Sequence, residues 1–159
     1  MRKLRKKPEE AKRMRRIDYI VVHCSATREG QELPPDTLDE MHRARGFSGT
    51  GYHYYIRRTG EVLNTRPIAQ IGAHTRGYNN HGIGICYEGG LAADGTPADT
   101  RTPEQRAVLR LLVRQLHARF PAATVCGHRD LSPDLDGNGR VEPHEWLKQC
   151  PCFDVKFDL

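Results

Sequence analysis

Residues 18 to 25 read D-Y-I-V-V-H-C-S, and this stretch constrains the fold more than any other. It is rich in β-branched residues and apolar on both faces, the composition of a strand buried at the centre of a sheet. Such a strand needs cover on both sides. Alternation sends Val21 and His23 to one face and Val22 and Cys24 to the other. His23 falls at the C-terminal end of the strand, where open α/β sheets place their sites.

The following segments supply neighbours and cover. Residues 34 to 46 predict a helix, with Thr37 and Glu40 as a capping box, Gly46 as the stop, and Leu38 and Met41 in the core. Residues 52 to 57, Y-H-Y-Y-I-R, predict a strand joined through Arg58, Thr59 and Gly60 to a hairpin partner, E-V-L-N. Its alternation groups Tyr52 with Tyr54 and Ile56, and His53 with Tyr55. Residues 71 to 82 are rich in Gly and Asn and read as a loop that delivers His74, Tyr78 and His81 to a surface. Residues 83 to 90 read as another buried strand. The clearest helix begins at Thr102, with Pro103 in its first position and Gln105 closing a capping box, and it ends near Phe120. Val108, Leu111, Leu112 and Leu116 follow its period. A last strand, 123 to 128, ends in His128. Strands alternating with helices, with one hairpin inserted, predict an α/β fold: a central mixed β-sheet flanked by helices.

The length of 159 residues suits a single domain with a sizeable core. Charge is unevenly placed. The formal net charge is +5, yet residues 1 to 16 alone hold nine Lys or Arg against Glu9 and Glu10, which leaves residues 17 to 159 slightly acidic. The first sixteen residues therefore read as a flexible basic tail. It has no interleaved aromatics for stacking bases, so nucleic acid is not the expected partner. Pro8, Glu9 and Glu10 stand where a signal peptide would need an apolar run, and no segment approaches the roughly 20 apolar residues of a membrane span. The expectation is a monomer made in the cytoplasm without a signal peptide.

Potential metal ligands crowd the end of the chain. His128 and Cys150 are nitrogen and sulfur donors of the kind zinc prefers, and a catalytic zinc usually takes three protein ligands. His23, at the end of another buried strand, is the candidate third. The five cysteines are odd in number and lack C-x-x-C spacing, so reduced thiols are the default. Pro151 disfavours helix at Cys150, and in an extended segment Lys148 and Cys150 point the same way. Lys148 there is either a surface lysine or a cation that stabilises an oxyanion.

Several strings together resemble one family. V-V-H-C-S-A-T at 21 to 27, G-Y-H-Y-Y-I at 51 to 56, G-A-H-T-R-G-Y-N at 72 to 79, H-G-I-G-I-C at 81 to 86, G-H-R-D at 127 to 130 and K-Q-C-P-C-F-D at 148 to 154 are similar to zinc-dependent N-acetylmuramoyl-L-alanine amidases. That family includes short phage lysozyme-type enzymes and the peptidoglycan recognition proteins. The resemblance implies hydrolysis of the amide joining N-acetylmuramic acid to L-alanine in peptidoglycan, acting on the cell wall after release or secretion. By motif it implies His23, His128 and Cys150 as zinc ligands, Tyr52 and Lys148 as catalytic residues, and His74 and Asn79 in the substrate groove. Without the resemblance, Tyr52 reads as a core tyrosine. Two readings from other classes stand beside the enzyme: a module that binds peptidoglycan without cleaving it, and a regulator that binds a polymerase or nucleic acid.

The chain departs from the short phage pattern by an insertion between His128 and Cys150, which leaves Cys152 as a rival ligand. The insertion, D-L-D-G-N-G-R-V-E-P-H-E from 134 to 145, fits the EF-hand loop D-x-[DN]-x-[DN]-G-x5-E. Asp134, Asp136 and Asn138, the Arg140 carbonyl and Glu145 are then candidate calcium ligands, with Pro143 starting an exit helix. The alternative is an ion-free turn rich in Asp and Gly.

Overall fold

The computed structural model describes residues 14–159. The elements run β1 (Tyr19–Cys24), β2 (Thr27–Arg28), α1 (Pro35–Ala44), β3 (Tyr54–Ile56), β4 (Val62–Asn64), β5 (Gly82–Tyr87), β6 (Gly90–Leu91), α2 (Pro103–Arg119), β7 (Thr124–Gly127) and α3 (Val155–Asp158). Five strands form one mixed sheet in the order β4-β3-β5-β1-β7, with only the β3–β4 hairpin antiparallel. A parallel pair, β2 and β6, makes a second small sheet. The strand at 18 to 25 is central, as its composition requires.

The two faces of the sheet differ sharply. Ile20, Val22 and Cys24 of β1 and Ile83, Ile85 and Tyr87 of β5 join Leu109, Leu112, Val113 and Leu116 of α2 in the main core. The opposite face carries only a small buried cluster, Leu38 of α1 with Tyr55 and Cys86. Elsewhere on that face β1 presents Val21 and His23, and β5 presents Gly82 and Gly84. Buried polar side chains, not hydrocarbon, fill the space there.

α2 starts as expected: the Thr102 side chain accepts from the Gln105 N–H at 3.1 Å, and the Gln105 side chain accepts from the Thr102 N–H at 3.0 Å. α1 does not. Its N-cap is Pro34 and Pro35 opens the helix, with no side-chain cap, so Thr37 and Glu40 lie inside it rather than at its start. The preset φ of consecutive prolines begins the helix three residues early. Met41 and Leu111 are exposed, not core, because each helix covers the sheet with a narrower stripe than the apolar pattern suggests. Tyr52 packs with Tyr55 and Leu63 rather than with Tyr54 and Ile56. The chain bends at His53, so strand alternation does not extend back to it. Residues 143 to 147 form one 3-10 turn, Pro143–Glu145, in place of an exit helix.

Most of the stretch read as a basic tail lies outside the described residues, but its last part belongs to the packed domain. Met14 rests on the main core. Arg15 donates to the carbonyls of Ile68 at 2.8 Å and Gly82 at 2.9 Å, tying this segment to β5 and the preceding loop.

His53 is fully buried and its tautomer is set by its neighbours. Nδ1 accepts from the Gly84 N–H at 3.0 Å, so Nε2 carries the proton and donates to the Gln70 carbonyl at 2.8 Å. Burial lowers its pKa from 6.5 to about 4, with Arg15 and Arg66 adding to the effect. The unfolded chain therefore binds more protons than the fold between these values, so this stability is complete above about pH 6.5 and is lost as pH falls toward about 4. The expected loss is on the order of 3 kcal/mol from this group. Thermal melts across this range should show a shallower pH slope for His53→Gln than for the parent chain; an identical slope would refute the assignment.

Candidate metal centre and its cleft

Parallel register brings the two strand-end histidines together. Val22 pairs with Gly127 across β1 and β7, so His23 in β1 and His128, one residue past the end of β7, come next in the register. Their ring centroids lie 4.6 Å apart. Cys150 completes the group: one ligand atom from each of His23, His128 and Cys150 lies within 4.8 Å of the other two.

The cysteine reaches this position because its own segment is anchored. The Arg129 N–H donates to the Cys150 carbonyl at 2.9 Å, and the Cys24 N–H donates to Cys150 Sγ at 3.2 Å. Tyr87 donates its hydroxyl to the Pro151 carbonyl. Phe153 and Val155 are buried in the main core, and the Arg101 guanidinium lies 3.3 Å from the Phe153 ring centroid. The segment is a turn rather than an extended run: the Cys152 N–H closes it on the Gln149 carbonyl at 2.8 Å. This turn separates the two sulfurs. Cys152 Sγ points into the core, 4.0 Å from Cys24 Sγ, and stands outside the His23–His128–Cys150 group.

Above the group opens a cleft of about 560 Å³. His23, Tyr52, His74, His128 and Lys148 line it, with Arg45, Phe47, Arg76, Asn79 and Leu147 on its walls. Burial, then His74, His128 and Lys148, holds the His23 imidazole well below its usual range. His128 falls to about 4 through burial and then Lys148. Both rings are neutral near pH 7, the form that offers a lone pair to a metal. Burial lifts the Tyr52 phenol well above its usual range, so it remains a hydrogen-bond donor. Its ring centroid is 5.1 Å from that of His23.

His74 and Asn79 both line the cleft, but Asn79 also works inward. Its Oδ1 accepts from the N–H groups of His74 and Thr75, each at 2.9 Å. Residues without a sequence signal complete the surroundings. His42 is buried beneath the cleft, with Nδ1 accepting from the Gly51 N–H at 2.8 Å and its ring between Phe47 and Tyr52. Its spacing of four from Leu38 on α1 was the available clue. Thr75 had none beyond adjacency to His74.

In the inserted loop, Asp134, Asp136 and Glu145 come within 4.8 Å of one another. Asn138 and Arg140 are engaged within the same loop. Asn138 Nδ2 donates to Asp136 at 3.2 Å and to Glu142 at 3.0 Å, and the Arg140 N–H donates to Asn138 Oδ1 at 2.8 Å. Glu145 is buried and accepts from the N–H groups of Leu135, Asp136 and Glu142.

Comparison with known proteins decides the family. Residues 13–146 match the family model of N-acetylmuramoyl-L-alanine amidase. The chain belongs to the N-acetylmuramoyl-L-alanine amidase family. The endolysin of Klebsiella phage KP32 is 34% identical over 137 residues, covering 86% of this chain and 82% of its own. The endolysin of Escherichia phage T7 is 34% identical over 139 residues, covering 87% and 83% respectively. The solved structure of the N-acetylmuramoyl-L-alanine amidase LysC from Clostridium intestinale superposes with a TM-score of 0.69 at 29% identity, covering 89% of this chain and 80% of that one. The chain is thus a peptidoglycan amidase, a hydrolase built on the mixed sheet of its family. Among the described residues no helix is long and apolar enough to cross a membrane. The family match stops at Trp146, so the amidase's Lys148 and Cys150 lie beyond it and are located by geometry.

The geometry predicts which sulfur a thiophilic metal meets. Cobalt(II), used as a chromophoric probe, should give a sulfur-to-metal charge-transfer band with the parent amidase and with Cys152→Ala. The band should vanish with Cys150→Ala; its loss in Cys152→Ala instead would reverse the assignment.

Proposed function

We propose that this amidase is zinc-dependent and hydrolyses the amide between the lactyl group of N-acetylmuramic acid and L-alanine. The observation that carries the proposal is the grouping of His23, His128 and Cys150 beneath a cleft that Tyr52 and Lys148 line. Two neutral imidazoles and a sulfur, with room above them, suit a catalytic zinc that keeps one coordination position open. Bound there, zinc supplies a Lewis acid and lowers the pKa of a coordinated water from about 15.7 toward about 7.

The chain's own residues then have separate tasks. Lys148 sits on the cleft wall close enough to both histidines to depress their protonation. Its ammonium stabilises the negative charge that develops on the scissile carbonyl oxygen. Tyr52, protonated at neutral pH, donates from its hydroxyl to orient the attacking water or to pass a proton toward the leaving nitrogen. His74 and Asn79 shape the groove that receives the substrate. The site of action is the cell wall, after release or secretion.

Incubation with purified peptidoglycan should release peptides with an amino-terminal L-alanine. Removing the metal with a chelator should abolish release, and zinc should restore it. Full activity in verifiably metal-free protein would show that zinc is not required, and binding without release would favour a recognition module. Lys148→Ala should lower kcat by roughly 100- to 1,000-fold, the usual cost of one oxyanion partner, while zinc content stays unchanged.

We also propose that calcium binds the loop at 134 to 145, on the ground that Asp134, Asp136 and Glu145 converge there. Each carboxylate oxygen engaged by a backbone N–H keeps a second lone pair for an ion. The Asn138 side chain and the Arg140 carbonyl would complete the set. Calcium added to zinc-loaded, calcium-free protein should raise its melting temperature, and Glu145→Gln should remove the rise. No shift in the parent protein would show the loop to be ion-free.

A further inference from the structure

One edge of the His23 ring, the Nε2 edge, is occupied by neighbouring polar side chains. His23 Nε2 lies 2.9 Å from His74 Nδ1 and 3.3 Å from Thr75 Oγ1, and Thr75 Oγ1 lies 3.0 Å from His74 Nδ1. The three groups form a closed triangle. If His23 is to offer a lone pair to a metal, the nitrogen that does so is Nδ1, and its proton must reside on Nε2. His74 Nδ1 then has to accept, which places the proton of a neutral His74 on its Nε2.

That atom is buried and has no hydrogen-bond partner. An unpaired buried donor is costly, so the arrangement is not the one His74 would choose for itself. The space around the ring is nonetheless made for it. A Cβ on Gly84 would lie 2.6 Å from His74 Cγ, and a Cβ on Gly72 would lie 2.6 Å from His74 Cδ2. β5 alternates glycine on this face with Ile83 and Ile85 in the core, and the missing side chains are the volume the imidazole fills. The Asn79 side chain pins the backbone on which both His74 and Thr75 stand.

We infer that His74, backed by Thr75, is a positioning residue for His23, holding its ring in the Nε2–H tautomer with Nδ1 turned to the metal. The inference rests on the zinc reading above. It is distinct from a substrate contact, because it predicts an effect on metal binding when no substrate is present.

The test compares two variants of similar shape, His74→Asn, whose Oδ1 can accept where Nδ1 did, and His74→Leu, which cannot. Zinc dissociation constants are measured by competition with a chromophoric chelator, alongside the cobalt(II) spectrum and melting of the metal-free protein. His74→Leu should weaken zinc about 10- to 100-fold and shift the cobalt bands, the usual scale for losing an outer partner of a metal ligand, and His74→Asn should recover most of the affinity. Tight zinc binding by the parent with equal affinity in His74→Leu overturns the inference and leaves the zinc reading intact. Absence of zinc binding by the parent overturns both. Should neither His74 variant fold, Thr75→Val decides: weaker zinc binding supports the inference and unchanged binding overturns it.

Discussion

The parallel pairing of β1 between β5 and β7 is the constraint on which the rest depends. It puts one apolar strand in the interior of the sheet and gives each of its faces a different fate. One face is saturated with hydrocarbon from α2 and the C-terminal segment. The other receives little hydrocarbon, and its buried groups must satisfy one another. His23, His53 and His74 stand on or above that face, and in each burial is the largest cause of the lowered pKa. The fold thus produces neutral, lone-pair-bearing imidazoles as a by-product of where it places its core.

Much of this was legible in the residues. The β-branched run at 18 to 25 announced a central strand, and Thr102, Pro103 and Gln105 marked the start of α2 because their cap is a local interaction. The mixed sheet followed from the alternation of these signals. What failed did so where local rules met tertiary context. Thr37 and Glu40 have the right spacing for a cap, but Pro34 and Pro35 act earlier in the chain. Met41 and Leu111 have the right period, but neither finds a partner surface. Tyr52 was assigned a face by extending alternation across a bend that only the fold reveals.

The site was legible in its parts rather than in its assembly. His23 and His128 each sit at a strand end, and register makes them neighbours. Choosing between Cys150 and Cys152 was beyond local chemistry, since both flank the same proline. The choice falls to the anchoring of residues 150 to 155, in which Tyr87, Arg101 and Cys24 all take part from distant positions. Thr75 and His42 carried no motif. Their importance comes from the side chains they touch, His23 and His74 for one, Phe47 and Tyr52 for the other.

That anchoring has a consequence for how such a chain can change. The stretch between Ser132 and Trp146 leaves from one fixed point and returns to another, and both points are tied by groups outside it, the Leu147 N–H to Ser132 Oγ at 3.1 Å and the Arg129 guanidinium over the Trp146 ring. Loop-closure entropy rises only by about 0.6 kcal/mol for each doubling of length, so the interval can grow or shrink at little thermodynamic cost. The donor geometry is insulated from such changes. A lineage can therefore splice new material into this interval, a sensor or a wall-adhesion element, without renegotiating the chemistry beside it. The segment is a docking port in the evolutionary sense, open to novelty because the catalytic floor does not lean on it.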